Sequence, residues 1–301
     1  MSLAPLDHDV RQAYLARLGV EPEPPSPGAL RRLVQAHAER VPYETLWIQA
    51  GEGWGIDPHD AAARIAHQQR GGYCYHLNGA LGLLLTSLGY DVRAHVGGVH
   101  GPEGPSAAVR GNHLVLTVAG LPDEAAPDGT WYVDAGLGDA LHSPVPLVAG
   151  AVTQPPFAMT LEQTHVQTGA GTEAAGWHLV HDSSGGFTGM SWTDALASTA
   201  DFEAQHQRLS TSPESGFVRV AMAERRDATG VDVVRGLVLS RIETGSRTDE
   251  QVTDRTAWFG LLAERFALPL RELAPEGRDR LWGHVLAAHR RWEQQQAAPR
   301  P

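Results

Sequence analysis

The sequence predicts an α+β protein of several domains, in which helices come first, short strands follow and a mixed segment ends the chain. Three observations support this class. A chain of 301 residues is longer than one small core requires. Apolar residues recur at helical spacing over the first ninety positions, and shorter β-rich runs between Gly, Pro and Asp then follow. We therefore expect domains at residues 1–89, 90–200 and 201–301.

The first ninety residues carry clear helix start and stop signals. Gly19 ends the first apolar run, and the pairs Ser26-Pro27 and Asp57-Pro58 each place an N-cap residue before a proline at the first helical position. The segment 77–88 is apolar almost all round and is closed by Gly89, which is typical of a buried helix. These signals predict a mainly helical N-terminal domain.

From Gly89 to about residue 200 the sequence changes to short β-rich runs, such as 91–99, 113–118 and 131–134. Their alternation and the turn residues between them predict a barrel or a sandwich. Beyond Asp201 we predict strands in F-V-R-V-A-M-A and V-R-G-L-V-L-S-R-I, and amphipathic helices over 253–266 and 280–294.

The last predicted helix places its large apolar residues on roughly one side. These residues are Leu281, Trp282, Val285, Leu286 and Trp292. Packing against the C-terminal domain is the favoured use of this face, and an interface between copies in a homo-oligomer is the alternative.

Composition excludes several classes of function. A net charge of -11 opposes nucleic acid binding, because such binding depends on neutralising phosphates. All 24 basic side chains are Arg, which excludes Schiff-base lysines and the lysine of a P-loop. The single cysteine cannot form an internal disulfide or a cysteine-built metal site, and no histidine spacing suggests a metal. No apolar run reaches the roughly 20 residues that a membrane-spanning helix needs, and the N-terminus does not resemble a signal peptide. We therefore expect a cytoplasmic protein that neither binds a membrane nor holds a metal ion.

Cys74, the single cysteine, stands in R-G-G-Y-C just before the predicted buried helix. A thiol at a helix N-terminus lies at the positive end of the dipole, and the free backbone N–H groups there favour a thiolate or an oxyanion. His113 opens one predicted strand and Asp134 closes the next, so the order Cys, His, Asp allows a thiol triad. The alternative is a buried structural cysteine, because neither spacing is diagnostic by itself.

Five segments together resemble the arylamine N-acetyltransferase family over nearly the whole chain. These segments are V-P-Y-E-T-L, R-G-G-Y-C, H-L-V-L, Y-V-D-A-G-L-G and D-F-E-A-Q-H-Q-R-L-S-T-S-P-E-S-G-F. The resemblance implies a helical bundle, a β-barrel and an α/β lid, with a cysteine-protease-like triad. It also implies that Cys74 is the nucleophile, that His113 is its base and that Asp134 orients the histidine.

By the same resemblance the chain is an acyl-coenzyme A-dependent N-acyltransferase with acetyl-CoA as donor and a small arylamine or hydrazine as acceptor. The resemblance implies a ping-pong mechanism through an acyl-cysteine. It places Tyr43, Leu137 and Phe217 in the acceptor pocket. The loop of Ser210, Thr211 and Ser212 is the expected contact for the coenzyme.

Some positions depart from the family pattern. Thr45 replaces the usual Asn after Glu, and Leu137 stands where an aromatic residue is usual, which weakens the stacking face for an arylamine. His76 stands where an acidic or amide residue is common. We expect it to be an exposed, tolerated position rather than a charged group that favours the thiolate. Arg70, Arg110 and Arg208 are expected to be solvated surface charges rather than phosphate contacts.

Three alternatives remain open from the sequence. An amide synthase of natural-product biosynthesis would take its acyl chain from a carrier protein, and the altered pocket fits that use. A thiol hydrolase or transglutaminase-like enzyme would use the same order of Cys, His and Asp. A binding module with an inert triad would have a thiol of ordinary reactivity.

Overall fold

A computed structural model describes residues 4–101, 111–168 and 172–297. Most of the helices lie at the two ends of the chain. They are α1 His8–Leu18, α2 Pro27–Arg40, α3 Leu46–Ala50, α4 Pro58–Ala63, α5 Cys74–Ser87, α6 Ala200–Thr211, α7 Gly216–Arg219, α8 Arg255–Arg265 and α9 Pro275–Ala297. A π-helical turn, Arg64–Gln68, continues α4.

The strands form two antiparallel sheets. They are β1 Tyr43–Glu44, β2 Asp91–His100, β3 His113–Ala119, β4 Trp131–Val133, β5 Val145–Pro146, β6 Gly150–Gln154, β7 Phe157–Gln167, β8 Glu173–Val180, β9 Gly189–Leu196, β10 Met222–Arg226, β11 Gly230–Arg235, β12 Val238–Glu243 and β13 Ser246–Gln251. The larger sheet has the order β5-β4-β3-β2-β9-β8-β7-β6, and the smaller has the order β1-β10-β11-β12-β13. The larger sheet is nearly closed and barrel-like around an apolar core.

The predicted helix signals are confirmed. Gly19 adopts a left-handed conformation after α1, the side chain of Ser26 caps α2, and that of Asp57 caps α4. Each cap satisfies backbone groups that a helix end leaves without a partner. The buried helix α5 begins at Cys74 itself.

Two strand predictions beyond Asp201 are wrong in detail. In F-V-R-V-A-M-A the first residues form the short helix α7, which Ser215 caps, and the strand begins only at Met222. V-R-G-L-V-L-S-R-I is a hairpin rather than one strand, because Gly236 adopts a positive φ of 60° and turns the chain between β11 and β12. The apolar residues of a tight hairpin read as one continuous run in the sequence.

Strand pairing joins the beginning of the chain to its end. Tyr43 of β1 pairs with Glu224 of β10, and the hydroxyl of Thr45 accepts a hydrogen bond from the backbone N–H of Met222. The elements follow the predicted succession of helices, strands and a mixed segment, yet this pairing crosses from the first segment to the third. The division at residues 89 and 200 stays a prediction.

Arg70 holds the same two parts of the chain together from inside. Its side chain is fully buried and forms ion pairs with Glu44 at 2.9 Å, Glu52 at 3.1 Å and Glu272 at 2.9 Å. The expectation of a solvated surface charge at Arg70 is therefore wrong, because the carboxylates around it replace water. The R-G-G-Y-C motif thus carries a structural ion-pair network as well as the cysteine.

The last helix, α9, packs as predicted. Leu281 and Val285 are fully buried in a core that α9 shares with α3, α8 and the smaller sheet, and Trp282 and Leu286 pack against it. Trp292 is 49% exposed. Most of the apolar face is thus covered within the chain, and a homo-oligomer stays a prediction.

Candidate active site

Cys74 is the first residue of α5 and is almost fully buried. At this position its backbone N–H has no carbonyl one turn earlier to bind, and the helix dipole directs positive potential at the sulfur. The thiol donates to the backbone carbonyl of Asn112, with 3.5 Å between Sγ and O. A reactive sulfur at this place has hydrogen-bond donors close by for a developing negative charge.

His113 begins β3 beside Cys74, and Asp134 directly follows β4, the neighbouring strand. Nε2 of His113 lies 2.7 Å from Oδ2 of Asp134, and both side chains are buried. Cys74 and His113 line the same cavity, and Cys74 is close enough to contribute to the raised pKa of His113. The structure thus brings together the three residues that the sequence singled out, in the order thiol, imidazole, carboxylate.

The surroundings of His113 favour its protonated form. Burial alone lowers the pKa of a histidine, but the charge of Asp134 and then that of Cys74 outweigh it and raise the pKa of His113 to about 10. His37 is equally buried and faces the hydroxyl of Tyr14 instead of a carboxylate, and burial lowers its pKa to about 3. The contrast shows that the neighbours, and not the depth, decide the protonation of His113.

Asp134 is held by residues that the sequence reasoning missed. Its Oδ1 accepts from Asn78 Nδ2 at 2.7 Å and from Gly136 N at 2.9 Å, and its Oδ2 accepts from the Tyr132 hydroxyl at 2.9 Å. Two sequence signals point to these residues. Asn78 lies four positions after Cys74 and therefore on the same face of an otherwise apolar helix. Tyr132 lies two positions before Asp134 and shares its face of the strand.

Gly136 lets the loop after β4 pass directly over the cysteine. A Cβ on Gly136 would lie 2.7 Å from the Cα of Cys74 and 2.9 Å from Nδ2 of Asn78. Real Cβ atoms do not approach so closely, so glycine is the residue that fits. The A-G-L-G segment of the sequence therefore lets this loop lie close against Cys74.

A cavity of about 280 Å³ lies against Cys74 and His113. Tyr43, Leu137 and Phe217, the predicted acceptor-pocket residues, line it. The rings of Tyr43 and Phe217 meet edge to face with centroids 6.3 Å apart. A cavity with an apolar wall and a few polar groups is typical of a small-molecule site.

The same cavity also has acidic walls, which the sequence reasoning did not predict. Asp139 and Glu224 both line it, and Arg235 lies at its edge. Burial and then the charge of Asp139 raise the pKa of Glu224 well above its ordinary value, although Arg235 opposes the shift. The sequence did not indicate that these two carboxylates line the cavity. Asp139 has the pattern of a loop residue, and Glu224 is one of several charged residues on its strand.

His76 is neither exposed nor charged, so both interpretations of this residue from the sequence are wrong. Its Nδ1 accepts a hydrogen bond from the backbone N–H of Tyr73 at 3.3 Å, and its Nε2 donates to the carbonyl of Gly55 at 3.2 Å. Burial among aromatic rings, with the charge of Arg64 nearby, lowers its pKa well below the ordinary value. His76 therefore closes the first turn of α5 as a neutral ring.

The predicted coenzyme loop lies elsewhere. Ser210 and Thr211 end α6, and their hydroxyls donate to carbonyls four residues earlier, at 2.8 and 2.7 Å. Both line a separate open cleft of about 640 Å³ on the side of Trp54, and Ser212 follows as the C-cap of α6. These hydroxyls are not beside Cys74, and their contact with a coenzyme stays a prediction.

Of the remaining arginines in question, Arg208 is exposed as expected, and Arg110 lies outside the described residues. In the described ranges there is no cluster of three or more His, Cys, Asp or Glu side chains that would hold a metal ion. Within the same ranges no helix has both the length and the apolar character to cross a bilayer.

Comparison with known proteins places these features in a known context. A family model described as N-acetyltransferase matches residues 28–274. The chain is 29% identical over 276 residues to an arylamine N-acetyltransferase of Mycolicibacterium smegmatis, which covers 88% of this chain and 94% of the relative. It is 28% identical over 260 residues to an arylamine N-acetyltransferase of Mycobacterium tuberculosis. That alignment covers 84% of this chain and 87% of the relative.

Solved structures show the same likeness in three dimensions. The arylamine N-acetyltransferase of Mycobacterium marinum in complex with CoA superposes with a TM-score of 0.77 at 25% identity, over 91% of this chain and 97% of that one. The enzyme of Nocardia farcinica superposes with a TM-score of 0.76 at 28% identity, over 92% and 95% of the two chains. In both comparisons the superposition spans nearly the full length of the two chains.

Proposed function

This chain belongs to the arylamine N-acetyltransferase family and is an acyltransferase, and from that premise we propose that it moves an acyl group from acyl-CoA to a small amine through Cys74. One observation carries the proposal. The imidazole of His113 is paired with the carboxylate of Asp134 at 2.7 Å, and Cys74 lies with His113 in the wall of a cavity with an apolar side. A thiol so placed can accept and release an acyl group.

In the first half-reaction the sulfur of Cys74 attacks the carbonyl carbon of the thioester as a thiolate, because its proton is already held on His113, whose raised pKa keeps the imidazole protonated. The new bond joins that carbon to Sγ, and the bond to the coenzyme sulfur breaks. The proton on His113 then passes to the departing thiolate, so that free coenzyme A leaves. Backbone N–H groups of the first turn of α5 stabilise the oxyanion.

In the second half-reaction a neutral amine attacks the acyl-cysteine. The nitrogen forms an amide bond to the carbonyl carbon, the bond to Sγ breaks, and a proton passes from nitrogen through His113 back to the sulfur. Exchange of one thioester for another is nearly isoenergetic, whereas formation of the amide is downhill. A thiol is for this reason better suited to the transfer than a hydroxyl.

The test is an intact mass spectrum of the protein mixed with acetyl-, propionyl- or malonyl-CoA and no amine. We expect one acyl-sized mass gain that is absent from Cys74→Ala, and loss of that gain when an aromatic amine is added. Retained transferase activity in Cys74→Ala would refute the mechanism. Cys74→Ala removes one buried sulfur, and its circular dichroism spectrum controls for the fold.

The same experiment separates the alternative acyl donors and reactions. No mass gain with any CoA thioester, from a thiol that iodoacetamide still alkylates rapidly, would point to a carrier-protein donor or to a hydrolase. Slow alkylation at the rate of an ordinary thiol would favour an inert triad. One set of mass spectra distinguishes these outcomes, because acylation and alkylation add different masses to Cys74.

A further inference from the structure

The candidate active-site cavity has one aromatic wall that the sequence did not indicate. Of the three predicted pocket residues, Tyr43 and Phe217 pack edge to face with each other, and Leu137 has an aliphatic side chain that offers no ring. Phe187 lines the same cavity from the β8–β9 loop, residues 181–188. The structure thus brings a third aromatic ring to the cavity from a distant part of the chain.

Phe187 is supported by a buried histidine. The imidazole of His181 stacks on the Phe187 ring, with centroids 4.3 Å apart and an angle of 29° between the planes. His181 also meets Phe157 edge to face, with centroids 4.8 Å apart. Its side chain is fully buried, and neither ring nitrogen has a hydrogen-bond partner among the described residues. His181 therefore acts at this place by packing, as a flat support for Phe187.

The backbone next to Phe187 is fixed as well. Asp139, a buried residue of the segment that follows β4, accepts a hydrogen bond from the backbone N–H of Gly186 at 2.6 Å. The space beside Gly185 is filled by the His181 ring, because a Cβ at Gly185 would lie 2.1 Å from Nε2. The β8–β9 loop is thus tied to the neighbouring wall of the cavity one residue before Phe187.

The start of the loop is held by a second carboxylate. Oδ1 of Asp182 accepts from the backbone N–H and the hydroxyl of Ser184 at 2.9 and 2.7 Å. Its Oδ2 accepts from the backbone N–H of Ala158 on β7 at 3.0 Å. A loop anchored at its start and in its middle holds the Phe187 ring in place before a substrate binds, so that little ordering cost remains to be met on binding.

We propose that Phe187 is a specificity-determining residue that contacts the aromatic ring of the acceptor, and that His181 and Asp139 position it. This inference rests on the proposed function, because it assigns the second half-reaction to this cavity. His181 covers one face of the Phe187 ring, so the opposite face or an edge borders the cavity. Stacked and edge-to-face arrangements both stabilise a second aromatic ring. An arylamine gains this contact, whereas hydrazine, which has no ring, does not.

The test uses protein acetylated on Cys74 by acetyl-CoA and freed of the donor. The second-order rate constant for deacylation by 4-methylaniline is divided by the rate constant for deacylation by hydrazine. We expect this ratio to fall by about two- to tenfold in Phe187→Leu, which corresponds to the loss of one aromatic contact. The ratio cancels any change that affects transfer from the acyl-cysteine to every amine alike.

Two variants are matched controls. Phe187→Tyr keeps the ring and should retain the wild-type ratio, whereas a ratio as low as that of Phe187→Leu would overturn the inference. Phe259→Leu makes the same change at a half-buried ring of α8, in a different core, and should leave the ratio unchanged. A wild-type ratio in Phe187→Leu would overturn the inference while the proposed function stands. Slower acylation by acetyl-CoA at a wild-type ratio would do so too, because Phe187 would then contact the donor.

His181→Leu tests the support of the ring and serves if Phe187→Leu does not fold. This change removes the ring that stacks on Phe187, keeps an apolar group in a buried place, and breaks no hydrogen bond of the imidazole among the described residues. We expect the ratio to fall by about twofold. An unchanged ratio would overturn the inference. Failure of acetyl-CoA to acylate the wild-type protein would instead refute the proposed function, and this inference with it.

Discussion

Replacement of Asp134 by Asn tests the chemistry of the site at its most buried point. The carboxylate accepts four hydrogen bonds, from His113, Tyr132, Asn78 and the backbone of Gly136. An amide has nearly the same shape but only one acceptor oxygen. If its NH₂ group donates to Nε2 of His113, the ring proton must sit on the other nitrogen, Nδ1. Nδ1 is then no longer free to accept the proton of the thiol.

The size of the effect follows from two buried histidines of the same chain. His113, next to Asp134, has its pKa raised to about 10, whereas burial without a carboxylate lowers the pKa of His37 to about 3. Loss of the charge at Asp134 removes the largest cause that raises this pKa and should thus shift His113 toward its neutral form at pH 7. We expect the rate of Cys74 acylation by acetyl-CoA to fall by about 10³- to 10⁴-fold, as in triads with a reversed tautomer.

The assay is rapid-quench mass spectrometry of the first half-reaction, together with the iodoacetamide alkylation rate of Cys74 at several pH values. Asp91→Asn, an exposed change of the same chemistry on β2, is the matched control and should behave as wild type. Thermal unfolding separates a chemical effect from a loss of fold. An acylation rate for Asp134→Asn within about tenfold of wild type would refute the role of the carboxylate.

Three further predictions concern the same structure. In Gly136→Ala the new Cβ would lie 2.7 Å from the Cα of Cys74, so we expect about 10²-fold slower acylation in stopped-flow assays, and an unchanged rate would contradict the close approach. In Arg70→Met the carboxylate of Glu44 stays buried without its partner, so urea unfolding should show a loss of about 3–5 kcal/mol, and a loss below about 1 kcal/mol would argue against the network. The pKa of His113 is raised, so its stabilisation is complete below pH about 6.5 and is lost as pH rises through about 10. Urea unfolding over that range should show a decline that is much smaller in His113→Gln, and equal declines would contradict the assignment.

Much of the local structure was predictable because its causes lie within a few residues. The caps at Ser26 and Asp57 and the left-handed stop at Gly19 depend on hydrogen bonds and backbone conformations that neighbouring residues supply. The family motifs likewise identified the residues that lie together as thiol, imidazole and carboxylate. Their mutual geometry still required strands that place His113 and Asp134 side by side.

What the sequence by itself determined is the succession of elements and the three residues that the structure brings together beside the cavity. Only the tertiary structure decided the environment of each polar side chain. Arg70 is an internal ion-pair centre, His76 is a neutral cap among aromatic rings, and Glu224 lies in the cavity beside Asp139. The physical reason is that burial, pKa and hydrogen-bond partners depend on residues far apart in the chain, which no local pattern records.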